Sequence, residues 1–204
     1  NWFSKNLNKN PNYSFVINAA AYTKVDKAES EPEIADKVNH LAVETLAYEC
    51  KKYKIPLIHI STDYIFDGKK QTNYLEQDTP APKNIYGLTK LHGELAIQKI
   101  LPEHIILRVS WVFGIHGNNF VKTITKLAMQ KSELKIISDQ YGTPTCAENI
   151  AKNIIQICAS IFKLKSNNQN SKNYWGTYHY RDYPVTNWHQ FAIKIIEAAK
   201  KSNL

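Results

Sequence analysis

Short runs of β-branched residues alternate along this chain with longer stretches in which apolar positions recur every three or four residues. Residues 14–17, Ser-Phe-Val-Ile, predict a buried strand. A helix is predicted over 32–52, with Pro32 at an early position and Ile34, Val38 and Leu41 on one stripe. A second strand follows at 56–62, then a loop rich in turn residues to about residue 84. Leu88, Leu91 and Leu95 share the face of another helix, and residues 104–110 predict a third strand. A helix at 118–131, a strand at 133–138 and a helix at 147–162 continue the series. The polar, Asn-rich stretch 163–173 reads as an exposed linker. A short strand at 176–180 and a helix over 186–200, capped by Thr186 or Asn187, complete the pattern.

Strands separated by crossover helices predict an α/β fold, a doubly wound parallel sheet, because parallel neighbours need a long connection to return to the same end. Right-handed crossovers align the strand C-termini along one edge, where ligands bind in such sheets. The residues at those ends are therefore the first candidates for chemistry: 18–22, 61–64 and 110–112. The last third of the chain reads as a smaller annex able to close over that edge.

Composition narrows the function classes. With 204 residues, 43% hydrophobic and 22% charged, the chain suits one globular domain with a small annex, and it has no apolar run long enough to cross a bilayer. The net charge of +8 comes from 24 Lys and only 2 Arg, spread without aromatic interleaving. A solvated surface that steers anionic substrates is favoured over nucleic-acid binding. Cys50, Cys146 and Cys158 show no paired spacing, which argues against a disulfide framework and a structural zinc site and fits a reducing cytoplasm. The first residues lack a secretion-signal pattern. No residue is assigned as a metal ligand.

Tyr86 and Lys90 stand four apart on a predicted helix, so both project from one face. An ammonium near a phenol favours phenolate and brings it toward the range of a general acid/base. The same spacing recurs at Tyr48 and Lys52, in a last helical turn with no partner motif, where an ordinary helix surface is expected. Thr62 ends a strand and could donate to an oxygen gaining negative charge, or simply cap a turn. Asp63 could orient a sugar hydroxyl or form an Asx-turn. Ala19, Ala20 and Ala21 are small enough for a flat ligand to approach the backbone, or for tight helix packing. Trp111 reads as a stacking wall for a ring or a lid on the core.

Three segments carry a resemblance: Val16 to Glu29, His59 to Gly68, and Ile85 to Glu94. It continues through Arg108 to Phe113, Gly117 to Val121, Asp139 to Thr145 and Gly176 to His179. Together they resemble the dTDP-4-dehydrorhamnose reductases, extended short-chain dehydrogenases/reductases, in family order over almost the whole chain. The resemblance implies a Rossmann-type, truncated NAD(P)-binding domain over 1–145 and a partial substrate-binding region over 146–204, intertwined with it. It implies reduction of the C4 ketone of a dTDP-linked 4-keto-6-deoxy sugar by NADPH or NADH, giving dTDP-L-rhamnose for surface polysaccharide. Tyr86 would donate the proton, Lys90 would hold the nicotinamide ribose and tune Tyr86, and Thr62 would bind the reacting oxygen. Asp63 and Trp111 would contact the sugar, while Ala20, Ala21, Tyr22, Thr23 and Ile60, with Tyr86 and Lys90, would line the cofactor. A Mg²⁺ ion and a homodimer are left open, and neither nucleic acid nor membrane is an expected partner.

One family feature is missing: no strand and Gly-rich turn precede Ser14. The expectation is a fragment that lacks the diphosphate site. A non-catalytic regulatory subunit of the same fold, like that of methionine adenosyltransferase, is the alternative. A sugar-nucleotide epimerase or dehydratase is the third reading.

Overall fold

The computed structural model describes residues 13–166 and 174–202. The chain divides into two compact units interleaved in sequence, Asn1–Arg108 with Gln156–His179, and Val109–Ile155 with Tyr180–Leu204. The division expected after residue 145 therefore lies inside the second unit.

The first unit is built on a four-stranded sheet in the order β1-β2-β3-β7, comprising Val16–Asn18, Leu57–Thr62, His104–Val109 and Gly176–His179. β1 runs parallel to β2, with Asn18 opposite His59, and β3 runs parallel to β7, with Arg108 opposite His179. Every residue of β3 and all but Ile60 of β2 are buried. Successive side chains point to opposite faces, so burial of neighbours such as Leu57 and Ile58 means that the sheet is covered on both sides. This is the α/β parallel sheet that the alternating pattern predicts.

A short helix α1 (Val25–Ala28) precedes α2 (Pro32–Asp36), which continues through a π-helical segment Lys37–Leu41 into α3 (Ala42–Tyr53). The predicted single helix is thus one run with a widened turn inside it. α3 ends at Lys54, whose φ of 55° is left-handed, before Ile55-Pro56 leads into β2. Helix α4 (Ile85–Ile100) starts at Asn84, whose Oδ1 accepts from the Gly87 N–H at 2.7 Å, and ends just before Pro102. Val43, Ala47 and Cys50 of α3 meet Ala96, Ile97 and Ile100 of α4 over Leu57 and Ile106, forming one face's core.

The second unit holds α5 (Phe120–Gln130) and α7 (Trp188–Lys201), capped by Asn119 and Asn187 respectively. Two-residue ladders pair β4 (Val112–Phe113) with β6 (Thr145–Cys146), and β5 (Tyr141–Gly142) with β8 (Thr186–Asn187). The strand predicted at 133–138 is absent. Leu134 and Ile136 alternate as a strand would, but they pack against Ile124, Ala192 and Ile195 of the two helices and no ladder forms. Helix α6 (Ala147–Ser166) runs four residues past its predicted end, so only 167–173 of the expected linker is left, outside the described residues.

Candidate active site

The parallel register of β1 and β2 puts the residues after Asn18 and after Thr62 at the same edge of the sheet. Helix α4 delivers Tyr86 and Lys90 there. Its first turn is fixed twice over: Ile85 N–H donates to Glu29 Oε1 at 2.8 Å, and a Cβ on Gly87 would lie 2.2 Å from the Tyr64 carbonyl oxygen. Only glycine allows that approach, which brings Tyr86 edge-on to Tyr64 with ring centroids 5.6 Å apart.

Thr62 is 5% exposed and makes the turn that its sequence position allowed. Its Oγ1 accepts from the Tyr64 N–H at 3.2 Å and donates to Asp63 Oδ1 at 3.2 Å. Burial pushes the Tyr86 phenol up to about 12, with Asp63 and Tyr64 adding to the rise and a hydrogen bond with Thr62 opposing it. Burial likewise raises the Asp63 carboxyl to about 6, against hydrogen bonds from Thr62 and the backbone that favour its anion. Tyr86, Thr62 and Asp63 therefore act on one another's titration at the end of a central strand.

Lys90 is bound by β2. It is 2% exposed, and its Nζ donates to the Ile60 carbonyl at 2.7 Å and faces His59 Nε2 at 3.2 Å. Burial lowers its amine to about 8, with Glu94 pulling the other way. The same burial, with Lys90 beside it, holds the His59 imidazole well below its ordinary range, so His59 is neutral. Asn18 Oδ1 accepts from the Ala20 N–H at 3.1 Å, which leaves the Asn18 amide nitrogen 3.0 Å from His59 Nδ1. By that assignment Nδ1 accepts and the single ring proton sits on Nε2, aimed at Lys90. A neutral amine accepts it; an ammonium requires the Asn18 amide to turn and give up the Ala20 bond. The network lets Lys90 exist in either protonation state.

After β1, Ala19, Ala20 and Thr23 are exposed, while Ala21 and Tyr22 are half-buried. The loop is held by Asn39, 1% exposed, whose Oδ1 accepts from the Tyr22 N–H at 2.9 Å and whose Nδ2 donates to the Tyr22 carbonyl and to Thr89 Oγ1. Exposed small residues on a backbone clamped from behind fit a flat ring system. Nothing in the sequence pattern flagged Asn39 or His59; only contact with strand-end residues reveals them. Trp111 lies in the second unit with φ 46°, a left-handed conformation costly for a bulky residue. Its indole stacks on Trp188 at 3.6 Å between centroids, and a Cβ on Gly142 would lie 2.5 Å from it. Tyr48 is 55% exposed, and the Lys52 ammonium lies over the Tyr53 ring, so the second Tyr-Lys pair is a helix surface, as expected.

Among the described residues, the group able to hold an ion is Asp36, His40 and His92. Two imidazoles and one carboxylate do not fit Mg²⁺, which takes oxygen ligands. No helix is long and apolar enough to cross a membrane among the described residues.

The dTDP-4-dehydrorhamnose reductase of Escherichia coli strain K12 is 41% identical over 189 residues, which are 93% of this chain and 61% of that protein. The spore coat polysaccharide biosynthesis protein SpsK of Bacillus subtilis is 38% identical over 89% of this chain and 60% of its own length. Among solved structures, dTDP-4-dehydrorhamnose reductase from Bacillus anthracis in complex with NADP superposes with a TM-score of 0.86 at 33% identity, covering 97% of this chain and 66% of that one. The chain thus spans about three-fifths of the length of these curated relatives. The family model described as RmlD substrate binding domain matches residues 4–203, and this chain belongs to that family.

Proposed function

We propose that this chain carries the proton-transfer centre of a nicotinamide-dependent reductase that converts the C4 ketone of dTDP-4-dehydro-β-L-rhamnose to the alcohol of dTDP-L-rhamnose. The observation that supports it most is the grouping of Tyr86, raised by burial, with Thr62, which donates to Asp63, at the end of β2. A phenol held up near 12 is fully protonated at neutral pH, as a proton donor must be. Thr62 can turn its hydroxyl from Asp63 to the ketone oxygen, so that the developing alkoxide meets one donor that stays and one that transfers.

A reduced nicotinamide, when bound, supplies the hydride to the carbonyl carbon. Ala20, Ala21, Tyr22 and Thr23, with Ile60 across the strand edge, would hold its ring end, and Tyr86 and Lys90 would meet its ribose. Asn39 holds both backbone groups of Tyr22 and Asn18 holds the Ala20 N–H, so Asn39 acts through the loop rather than on the cofactor. Asp63 and Trp111 are assigned to the sugar. A cytoplasmic location is part of the same reading.

The test uses the whole protein that contains this chain, mixed with dTDP-4-dehydrorhamnose and NADPH or NADH, and follows the nicotinamide absorbance. Substrate-dependent loss is expected, reduced at least ~10²-fold by Tyr86→Phe and little changed by Tyr48→Phe. Product formed without net nicotinamide consumption would indicate an epimerase or dehydratase. No reaction at all would favour a regulatory subunit.

A further inference from the structure

We propose that Asp36, His40 and His92 form a binding site for Zn²⁺ that clips the end of α2 and the π-helical segment after it to helix α4. Both imidazoles turn Nδ1 toward the same carboxylate oxygen: His40 Nδ1 lies 3.0 Å and His92 Nδ1 3.7 Å from Asp36 Oδ1. One ligand atom from each residue lies within 4.8 Å of the other two. Ligands at ~2.0–2.1 Å from a tetrahedral Zn²⁺ stand roughly 3.3 Å from one another, so the two measured edges bracket the required one. The third edge, between the two imidazoles, lies within the same 4.8 Å.

The backbone that assembles the trio is specific. Asp36 ends α2 and His40 sits in the π-helical segment, a widened turn of the kind often found at functional sites. Helix α4 crosses this segment with its backbone nearly touching, since a Cβ on Gly93 would lie 2.2 Å from the Asn39 carbonyl oxygen. Asn39 and Gly93 are each adjacent in sequence to one of the histidines. Their contact therefore sets His40 beside His92, with ring centroids 5.2 Å apart. The side chains of Asp36, His40 and His92 are 35%, 27% and 41% exposed, open enough for an ion to enter and leave a fourth position for water. Two nitrogens and one oxygen suit zinc and its neighbours in the first transition row, not magnesium or calcium.

This site is separate from the proposed proton-transfer centre and does not depend on it. Its test is calorimetric titration of the chelator-treated full chain with zinc chloride alone, with His40→Gln, His92→Gln and a Cys146→Ser/Cys158→Ser variant alongside. The expected result is one Zn²⁺ per chain, weakened at least ~10-fold by either histidine substitution and unchanged by the cysteine substitutions. A visible absorption spectrum of tetrahedral Co²⁺ in the parent chain, lost in His92→Gln, reads the same ligands independently of stability. Absence of saturable binding, or binding that survives both histidine substitutions, would overturn the proposal. Should a variant fail to fold, the parent chain decides: its melting temperature must rise with Zn²⁺ and not with equimolar Mg²⁺.

Discussion

Arg108 and Glu94 form the buried ion pair that ties helix α4 to β3, and cutting it is the sharpest test of how the site is held. Arg108 Nη2 lies 2.7 Å from Glu94 Oε2, and its Nε lies 3.1 and 3.2 Å from the two carboxylate oxygens. Their side chains are 5% and 0% exposed, so water cannot replace either partner. Arg108→Met leaves the Glu94 carboxylate uncompensated, which costs about 3–5 kcal/mol. In a chain of this size that lowers the melting temperature by on the order of 10 °C. Replacing both partners, as Arg108→Met with Glu94→Leu, removes the orphan charge as well as the pair, so the double variant recovers much of the loss. Urea unfolding followed by circular dichroism measures all three variants, and added salt should change little because a buried pair is weakly screened. A cost below about 1 kcal/mol for Arg108→Met, or a double variant as unstable as the two singles added, would refute the reasoning.

Three further outcomes follow from the same contacts. Gly93→Ala should destabilise the chain by at least ~2 kcal/mol in thermal or urea unfolding, because the new methyl meets the Asn39 backbone oxygen rather than a side chain that can move. Asp63→Asn should raise stability at pH 7 by at most about 3 kcal/mol. The Asp63 carboxyl titrates near 6 when folded, so its ionisation opposes folding above that pH and the opposition fades as pH falls toward the unfolded value. The gain from Asp63→Asn should therefore vanish near pH ~4; a gain that persists there would count against burial as the cause. For Lys90, depressed to about 8, the sign is reversed: its contribution is present above the unfolded lysine range and is lost as pH falls through 8. Parent and Lys90→Met chains should differ in the pH slope of stability between 8 and ~10, the parent gaining up to about 3 kcal/mol as the pH rises.

Much of the sheet was legible because burial on both faces leaves a plain record. β2 and β3 carry their apolar residues Leu57, Ile58, Ile105, Ile106 and Leu107 side by side, and the Leu spacing marks α4 as a helix but not its buried face: Leu88 and Leu95 are exposed, while Thr89, Lys90, Ala96, Ile97 and Ile100 are buried. Residues 133–138 misled because alternation reports one buried side and not a hydrogen-bonded neighbour; Leu134 and Ile136 satisfy it against helices. The π-helical segment was invisible, since Lys37–Leu41 carries no Pro or Gly and the close neighbour of its Asn39 carbonyl, Gly93, is far away in sequence. The ladders of two residues in the second unit are too short to leave any period at all.

The candidate site divides along the same line. Tyr86, Lys90 and Thr62 could be picked out because helix spacing and strand ends are local facts. What surrounds them is not local, and it changes their chemistry. Spacing alone puts an ammonium beside a phenol and predicts a lowered tyrosine. The fold adds what spacing cannot: Lys90 bonds the Ile60 carbonyl and faces His59 on the strand that the helix covers, and burial raises the phenol. In the proposed reaction a phenol kept protonated by desolvation would call on a cation after the transfer, when the phenolate is to be stabilised and reprotonated, and Lys90, its amine lowered to about 8 and joined through His59 to Asn18 at the end of β1, is suited to that step.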